Sequence, residues 1–166
     1  MALNAYLTLK GQKQGQIIGS VTQKGRENSI LVHAYSNQIV SPRDPASGLP
    51  TGERMHQPLS IVKEIDKSSP LLWNAFNTNE NLTQWTLQFW SPALATTPLL
   101  PERQIYTITL TNASIASIHE SMLDNEDPTR ANYTLREEIT FTYQKIQWLW
   151  TDGGITASDD WEAPVA

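Results

Sequence analysis

The chain has 166 residues, of which 39% are hydrophobic and 17% charged, with six tryptophans and a net charge of −5. That length and apolar content fit one domain with a real core and exclude a disordered chain. With no cysteine, disulfides and thiol chemistry are excluded, and the negative charge argues against a general nucleic-acid binder.

The start, "MALNAYLTLKG", has neither a basic n-region nor an uninterrupted apolar run. It is therefore expected to be neither signal peptide nor membrane span, in a chain made in the cytoplasm and not inserted into membranes. Leu3, Ala5, Leu7 and Leu9 alternate with polar neighbours, the period of a half-buried strand. "GQKQGQ" reads as a turn before a short strand around Ile17–Val21, and "TQKGREN" as a second turn. "SILVHAYSNQIV" reads as one longer strand. Next comes "SPRDPASGLPTGERMHQP" (41–58), which holds four of the ten prolines and two of the eight glycines. It is expected to be a structureless arm between two strands, and loops of that length in small domains are uncommon unless functional.

"LSIVKEI" resumes the alternation, with Leu59, Ile61 and Ile65 on different faces. One helix is expected over about 68–79. Ser68 or Ser69 would cap it through a hydroxyl, and Pro70 would occupy the first helical position. Leu71, Leu72, Ala75 and Phe76 fall on one face at helical spacing and are assigned to packing on the sheet. "LTQWTLQFW" places Trp85, Leu87 and Phe89 on one face. After a second proline-rich connection, "SPALATTPLLPE", comes a long strand run, "RQIYTITLTNASIASI". In "TLREEITFTYQKIQWLW" the apolar parity changes: Ile139, Phe141 and Tyr143 share one face, but Ile146, Trp148 and Trp150 the other. Either a bulge near Gln144–Lys145 or burial on both sides would explain this. An acidic tail occupies about 152–166. Many short strands with one helix indicate a mainly β fold, an antiparallel barrel or sandwich.

No catalytic constellation emerges. His33, His56 and His119 share no metal-ligand spacing, and "DNEDPT" (124–129) lacks the alternating ligands and central glycine of a calcium loop. No cofactor is expected, and the protein is expected not to be an enzyme. Lys10, Lys13, Lys24 and Arg26 form a basic cluster around two turns, read as solvated surface. Residues 1–67 carry eight Lys/Arg against five Asp/Glu, or +3, while residues 68–166 carry four against twelve, or −8. Uneven solvated surface explains that split; so would unlike faces suited to head-to-tail stacking.

In order along nearly the whole chain, five segments resemble the haemolysin-coregulated protein (Hcp) family, the tube subunit of bacterial type VI secretion. They are "GSVTQKGRE" (19–27), the 41–58 segment, "IVKEIDKSSPLLWNAF" (61–76), "LTNASIASI" (110–118) and "FTYQKIQWLWTDGGITASDDW" (141–161). The resemblance implies an antiparallel β-barrel or two-sheet fold with one flanking helix. It implies homo-hexameric rings that stack into a hollow tube, propelled by a contractile sheath with a spike protein at the tip. Small effectors ride in the lumen, and the assembly is exported from the bacterium. With the chain ending at Ala166, no fused toxin domain is expected. In the family the arm reaches toward the neighbouring ring, which makes Arg43, Asp44, Glu53 and Arg54 candidate pairing charges and Gly48 and Gly52 the turn residues. A rival reading of the same strands is a monomeric β-barrel that binds a small ligand.

Overall fold

The structure is a computed structural model, described here for residues 3–91 and 102–162. The second proline-rich connection, and the tail from residue 163 onward, lie outside the described residues. The chain runs β1 (Asn4–Gly11), β2 (Gly15–Ile17), β3 (Ile30–Val32), β4 (Ala34–Ser36), β5 (Ile39–Val40), β6 (Met55–His56), β7 (Leu59–Glu64) and α1 (Ser69–Asn77). It continues through β8 (Leu82–Ser91), β9 (Arg103–Thr111), β10 (Ser114–Ser121), β11 (Arg136–Thr142), β12 (Lys145–Trp150) and β13 (Ile155–Asp160). A large antiparallel sheet has the order β13-β12-β9-β8-β1-β2, with β3 also paired to β1; a smaller one has the order β10-β11-β7-β4. The expected mainly β, antiparallel architecture with one flanking helix is what the chain adopts.

Inward-facing residues of the two sheets form one core. Leu7, Leu9, Trp85, Leu87, Ile108 and Leu110 of the large sheet join Leu59, Ile61, Ile139 and Phe141 of the small one. Trp85 meets Phe141 edge-on across the layers, ring centroids 5.4 Å apart. In β1 the alternation holds for Ala5, Leu7 and Leu9, but Leu3 is 56% exposed and Tyr6 is buried. The first short strand lies earlier than expected, at Gly15–Ile17. Beyond it, Gly19 permits the backbone of the following loop to fold tightly on itself. A Cβ there would stand 2.2 Å from the Ser29 carbonyl oxygen, too close for any other residue.

Three runs read as continuous strands are instead divided between sheets. "SILVHAYSNQIV" splits into β3 in the large sheet, β4 in the small one and β5 in a separate two-stranded ribbon. The run from Arg103 turns at Asn112 (φ 50°) and passes from β9 in the large sheet to β10 in the small one. The parity change after Tyr143 is neither a bulge nor two-sided burial within one strand. It marks a corner at which the chain leaves β11 in the small sheet and enters β12 in the large one. The two corners are tied together: the Gln144 N–H donates to the Thr111 carbonyl (3.1 Å) and the Asn112 side-chain amide donates to Gln144 Oε1 (2.7 Å). Strands that switch sheets in this way close the corners of two-layer β folds.

Helix α1 spans Ser69–Asn77, with Leu72 and Ala75 fully inward and Leu71 and Phe76 half-buried against the core. Neither serine hydroxyl caps it. The Ser68 hydroxyl donates to Asp66, and the Asp66 carboxylate accepts the Ser68 N–H at 2.9 Å. The Ser69 hydroxyl donates to Glu137 Oε1 at 2.6 Å. These serines are recruited by a buried polar knot instead. In β7 the third inward position after Leu59 and Ile61 is Lys63. Its ammonium is wholly buried, paired to the equally buried Glu137 of β11, and lies 3.1 Å from both Asp66 Oδ1 and Ser69 Oγ. Burial pushes the Asp66 carboxyl up, but the Ser68 hydrogen bonds and the Lys63 ammonium outweigh it and leave the group below the ordinary carboxylate range. The knot fixes the start of α1 to the small sheet.

Candidate functional site

The segment at 41–58 is ordered, which corrects the expectation of a structureless arm. Strands β5 and β6 pair antiparallel at its base, with Ile39 opposite His56 and Val40 opposite Met55. Higher up, Arg43 bridges to Pro50, and the Thr51 N–H donates to the Pro42 carbonyl (3.0 Å). At the tip the Asp44 N–H donates to the Leu49 carbonyl and the Gly48 N–H to that of Asp44. The Asp44 carboxylate accepts the Ala46 and Ser47 N–H groups and the Ser47 hydroxyl, and the serine hydroxyl in particular holds its pKa below the ordinary value. "DPASG" is therefore an Asx-type turn that orders itself locally. Gly48 takes φ +71°, the left-handed conformation that favours glycine; Gly52 is not in that region. The arm is a hairpin whose tip presents one large apolar side chain, Leu49, 65% exposed.

The candidate pairing charges divide. Arg43 and Glu53 are exposed, and Asp44 is occupied by its own turn. Arg54 points back at the body, where its Nε and a terminal nitrogen fork onto the Asp159 carboxylate of β13 while the same nitrogen donates to the Asp160 carbonyl (3.2 Å). His56 completes the clasp. Its Nε2 donates to Asp159 Oδ2 at 2.7 Å, and Nδ1 lies within hydrogen-bond distance of the Tyr143 hydroxyl, at 3.0 Å. The Arg54 guanidinium, seconded by His56, holds the Asp159 carboxyl below its usual range despite burial. Burial and the Asp159 charge push the Tyr143 hydroxyl up to about 12. Thus a four-residue clasp joins the base of the arm to β13, the edge strand of the large sheet.

A second feature lies away from the clasp. A concavity of about 560 Å³ is walled by Leu3, Tyr35, Phe89, Ile105, Tyr106 and Trp150. Tyr35 packs at a tilt against Phe89, ring centroids 4.8 Å apart, and Phe89 meets Tyr106 at 5.6 Å. Leu3, Tyr35 and Trp150 remain 56%, 43% and 46% exposed. The remaining sequence features are local. In "DNEDPT" the Asp127 carboxylate accepts the Thr129 N–H and hydroxyl in an exposed loop. Arg26 is not part of a solvated basic cluster: it pairs with Glu102 at 2.7 Å and lies over the Tyr6 and Trp90 rings. His33 stands 3.5 Å from Glu64.

Two antiparallel sheets exchanging strands at a shared corner, one flanking helix and a clasped, projecting hairpin define a mainly β protein with an ordered appendage. Residues 6–150 match the family described as "Type VI secretion system effector, Hcp". The chain is 38% identical to the "Major exported protein" of Pseudomonas aeruginosa, over 100% of this chain and 99% of that one. Its fold is similar to a crystal structure of an Hcp protein, with a TM-score of 0.87 and 27% identity covering 98% of this chain and 100% of the other. It is also similar to the Hcp1 protein of E. coli EAEC 042, with a TM-score of 0.82 and 31% identity over 96% and 99%. The chain belongs to the Hcp family of type VI secretion proteins.

Proposed function

We propose that this protein is the structural, non-enzymatic subunit of a type VI secretion tube. Six copies close into a ring, rings stack into a hollow tube, and the tube is exported carrying small effectors in its lumen. Membership of the family and likeness to a major exported protein support this reading. The observation that carries it is the arm: an ordered hairpin, stabilised within itself, clasped at its base and presented to solvent at its tip. A pre-ordered projection loses little conformational entropy on docking. The contractile sheath and the spike are the partners implied for the two ends and the outer wall of such a tube. Ring closure uses heterologous contacts, one side of each subunit against the unlike side of the next. Edge strands such as β13 and β10 are available for that contact, which would remove them as aggregation hazards.

The test separates ring from tube. Replacing residues 43–52 with a short Gly-Ser turn keeps Arg54 and His56 in place and shortens only a polar surface excursion, at small entropic cost. The variant is expected to sediment as a six-membered ring, to form no tubes in negative-stain images and to be lost from culture supernatants. Monomers would place the arm in the lateral contact, and persistent tubes would deny it any role in stacking. A wild-type chain that sediments at 18.6 kDa would favour the rival ligand-binding barrel.

A further inference from the structure

Strand β13 and the arm share one weakness, the lack of a core. Ile155, Thr156, Ala157 and Ser158 are exposed, and only Asp159 and Asp160 of β13 are half-buried. Among the described strands β13 has one neighbour, β12. The arm stands on the β5–β6 ribbon, which joins neither of the two larger sheets. In that ribbon Ile39 and Val40 are half-buried and Met55 is exposed. A two-stranded ribbon without a core is marginal in water. Each segment therefore needs an anchor outside itself, and both use the same one.

Among the described residues, every side-chain hydrogen bond from 39–56 to the rest of the fold runs through the clasp. Arg54 donates to the Asp159 carboxylate and the Asp160 carbonyl, and His56 bonds Asp159 and Tyr143. The two half-buried residues of β13 are thus the two that Arg54 holds. His56 is the inner member, its side chain 6% exposed and its ring edge-on to Tyr143 at 5.5 Å. Tyr143 stands at the corner where β11 passes to β12, and its carbonyl accepts the indole N–H of Trp161, just beyond β13. We infer that the arm and β13 form one cooperative unit, which the clasp opens or closes as a whole. By linkage, a contact that fixes β13 also orders the arm, and a contact that fixes the arm also orders β13. The inference rests on the assembly proposed above, in which an edge such as β13 closes the ring and the arm serves stacking, and it adds regulation. Closing a ring on β13 readies the arm, so rings precede tubes.

Millisecond-labelling hydrogen exchange on the intact chain tests the unit, each amide read as a ratio to those of core residues Leu7 and Leu87. Asp159→Asn, a change in β13, should speed exchange at the arm's paired amides, those of Asp44, Gly48 and Thr51, on the order of 5- to 10-fold. Arg54→Gln, a change in the arm, should speed exchange along β13 by a similar factor. The double variant should add little to either single one, because each opens the same clasp. Glu53→Gln, beside the clasp but outside it, should move neither segment. Acceleration confined to the mutated segment, a double variant whose effects multiply, or an equal effect from Glu53→Gln would overturn the inference. Sedimentation separates this from the assembly itself: Asp159→Asn should need several-fold more protein to close rings, whereas the Gly-Ser arm variant, which keeps the clasp, should not. Linked exchange with unchanged ring closure would leave the cooperative unit standing and remove β13 from the ring contact.

Discussion

Lys63→Met removes a buried cation and leaves Glu137 in place, with neither residue exposed at all. Each Glu137 oxygen then lacks its counter-charge: Oε1 keeps only the Ser69 hydroxyl, and Oε2 has no hydrogen-bond partner within the described residues. Breaking a buried pair from one side costs roughly 3–5 kcal/mol, because the surviving charge stays desolvated. For a chain of this size each kcal/mol lowers Tm by about 2–4 °C, so the single variant should melt roughly 6–20 °C lower. The double variant Lys63→Met/Glu137→Leu fills the same space without charge and should recover most of that loss, since well-packed apolar replacements of buried pairs are often neutral or stabilising. Melting curves of wild type, both single variants and the double variant at one protein concentration close the cycle. A single variant within about 2 °C of wild type, or a double variant as damaged as the worse single, would refute the reasoning and make the pair incidental to stability.

Other outcomes follow from the same structure. Leu72→Ala should cost about 2–5 kcal/mol because Leu72 is fully buried, and half-buried Phe76→Ala should cost less; urea unfolding that reverses this order would remove Leu72 as the helix anchor. At the clasp, the folded-state pKa of Asp159 is lowered, so its stabilisation is present above the unfolded value of about 4 and is lost as pH falls through the folded value. Asp159→Asn should therefore lower the urea midpoint at pH 7, by on the order of 1 kcal/mol, and the gap from wild type should be smaller at an acidic pH below about 4. An equal gap at both pH values would sink the linkage. At the alkaline end, Tyr143 keeps its proton up to about 12 in the fold but loses it near 10 when unfolded, so wild type should lose stability over that window and Tyr143→Phe should lose less, the remainder coming from groups such as Tyr106, whose hydroxyl burial also pushes up.

The helix was legible because its signals are local: Pro70 near the first turn and four apolar residues at 3.6-residue spacing. The strands were legible as strands but not as members of a sheet, since alternation reports that one face is buried and is silent on the layer. The parity change after Tyr143 was the visible trace of a corner, and a bulge would leave the same trace. Lys63 was readable only as the third inward position of β7, which the charge itself disguised. Its partner Glu137 lies 74 residues away, and no pattern links them. The clasp is more distant still, with Arg54 and Asp159 separated by 105 residues. The arm's order did have a signal. Asp44 and Ser47 followed by Gly48 is the chemistry of a self-contained turn, hidden under a proline count that suggested looseness.

The uneven charge of the two halves has a different meaning in three dimensions. Arg26, Arg54 and Lys63, three of the eight cations before residue 68, each pair with a carboxylate from the other half: Glu102, Asp159 and Glu137. Halves of the sequence are not halves of the molecule, because the large sheet interleaves β1 and β2 with β8, β9, β12 and β13. The +3 and −8 therefore cancel in part through pairs that hold arm, helix and loop to the sheets.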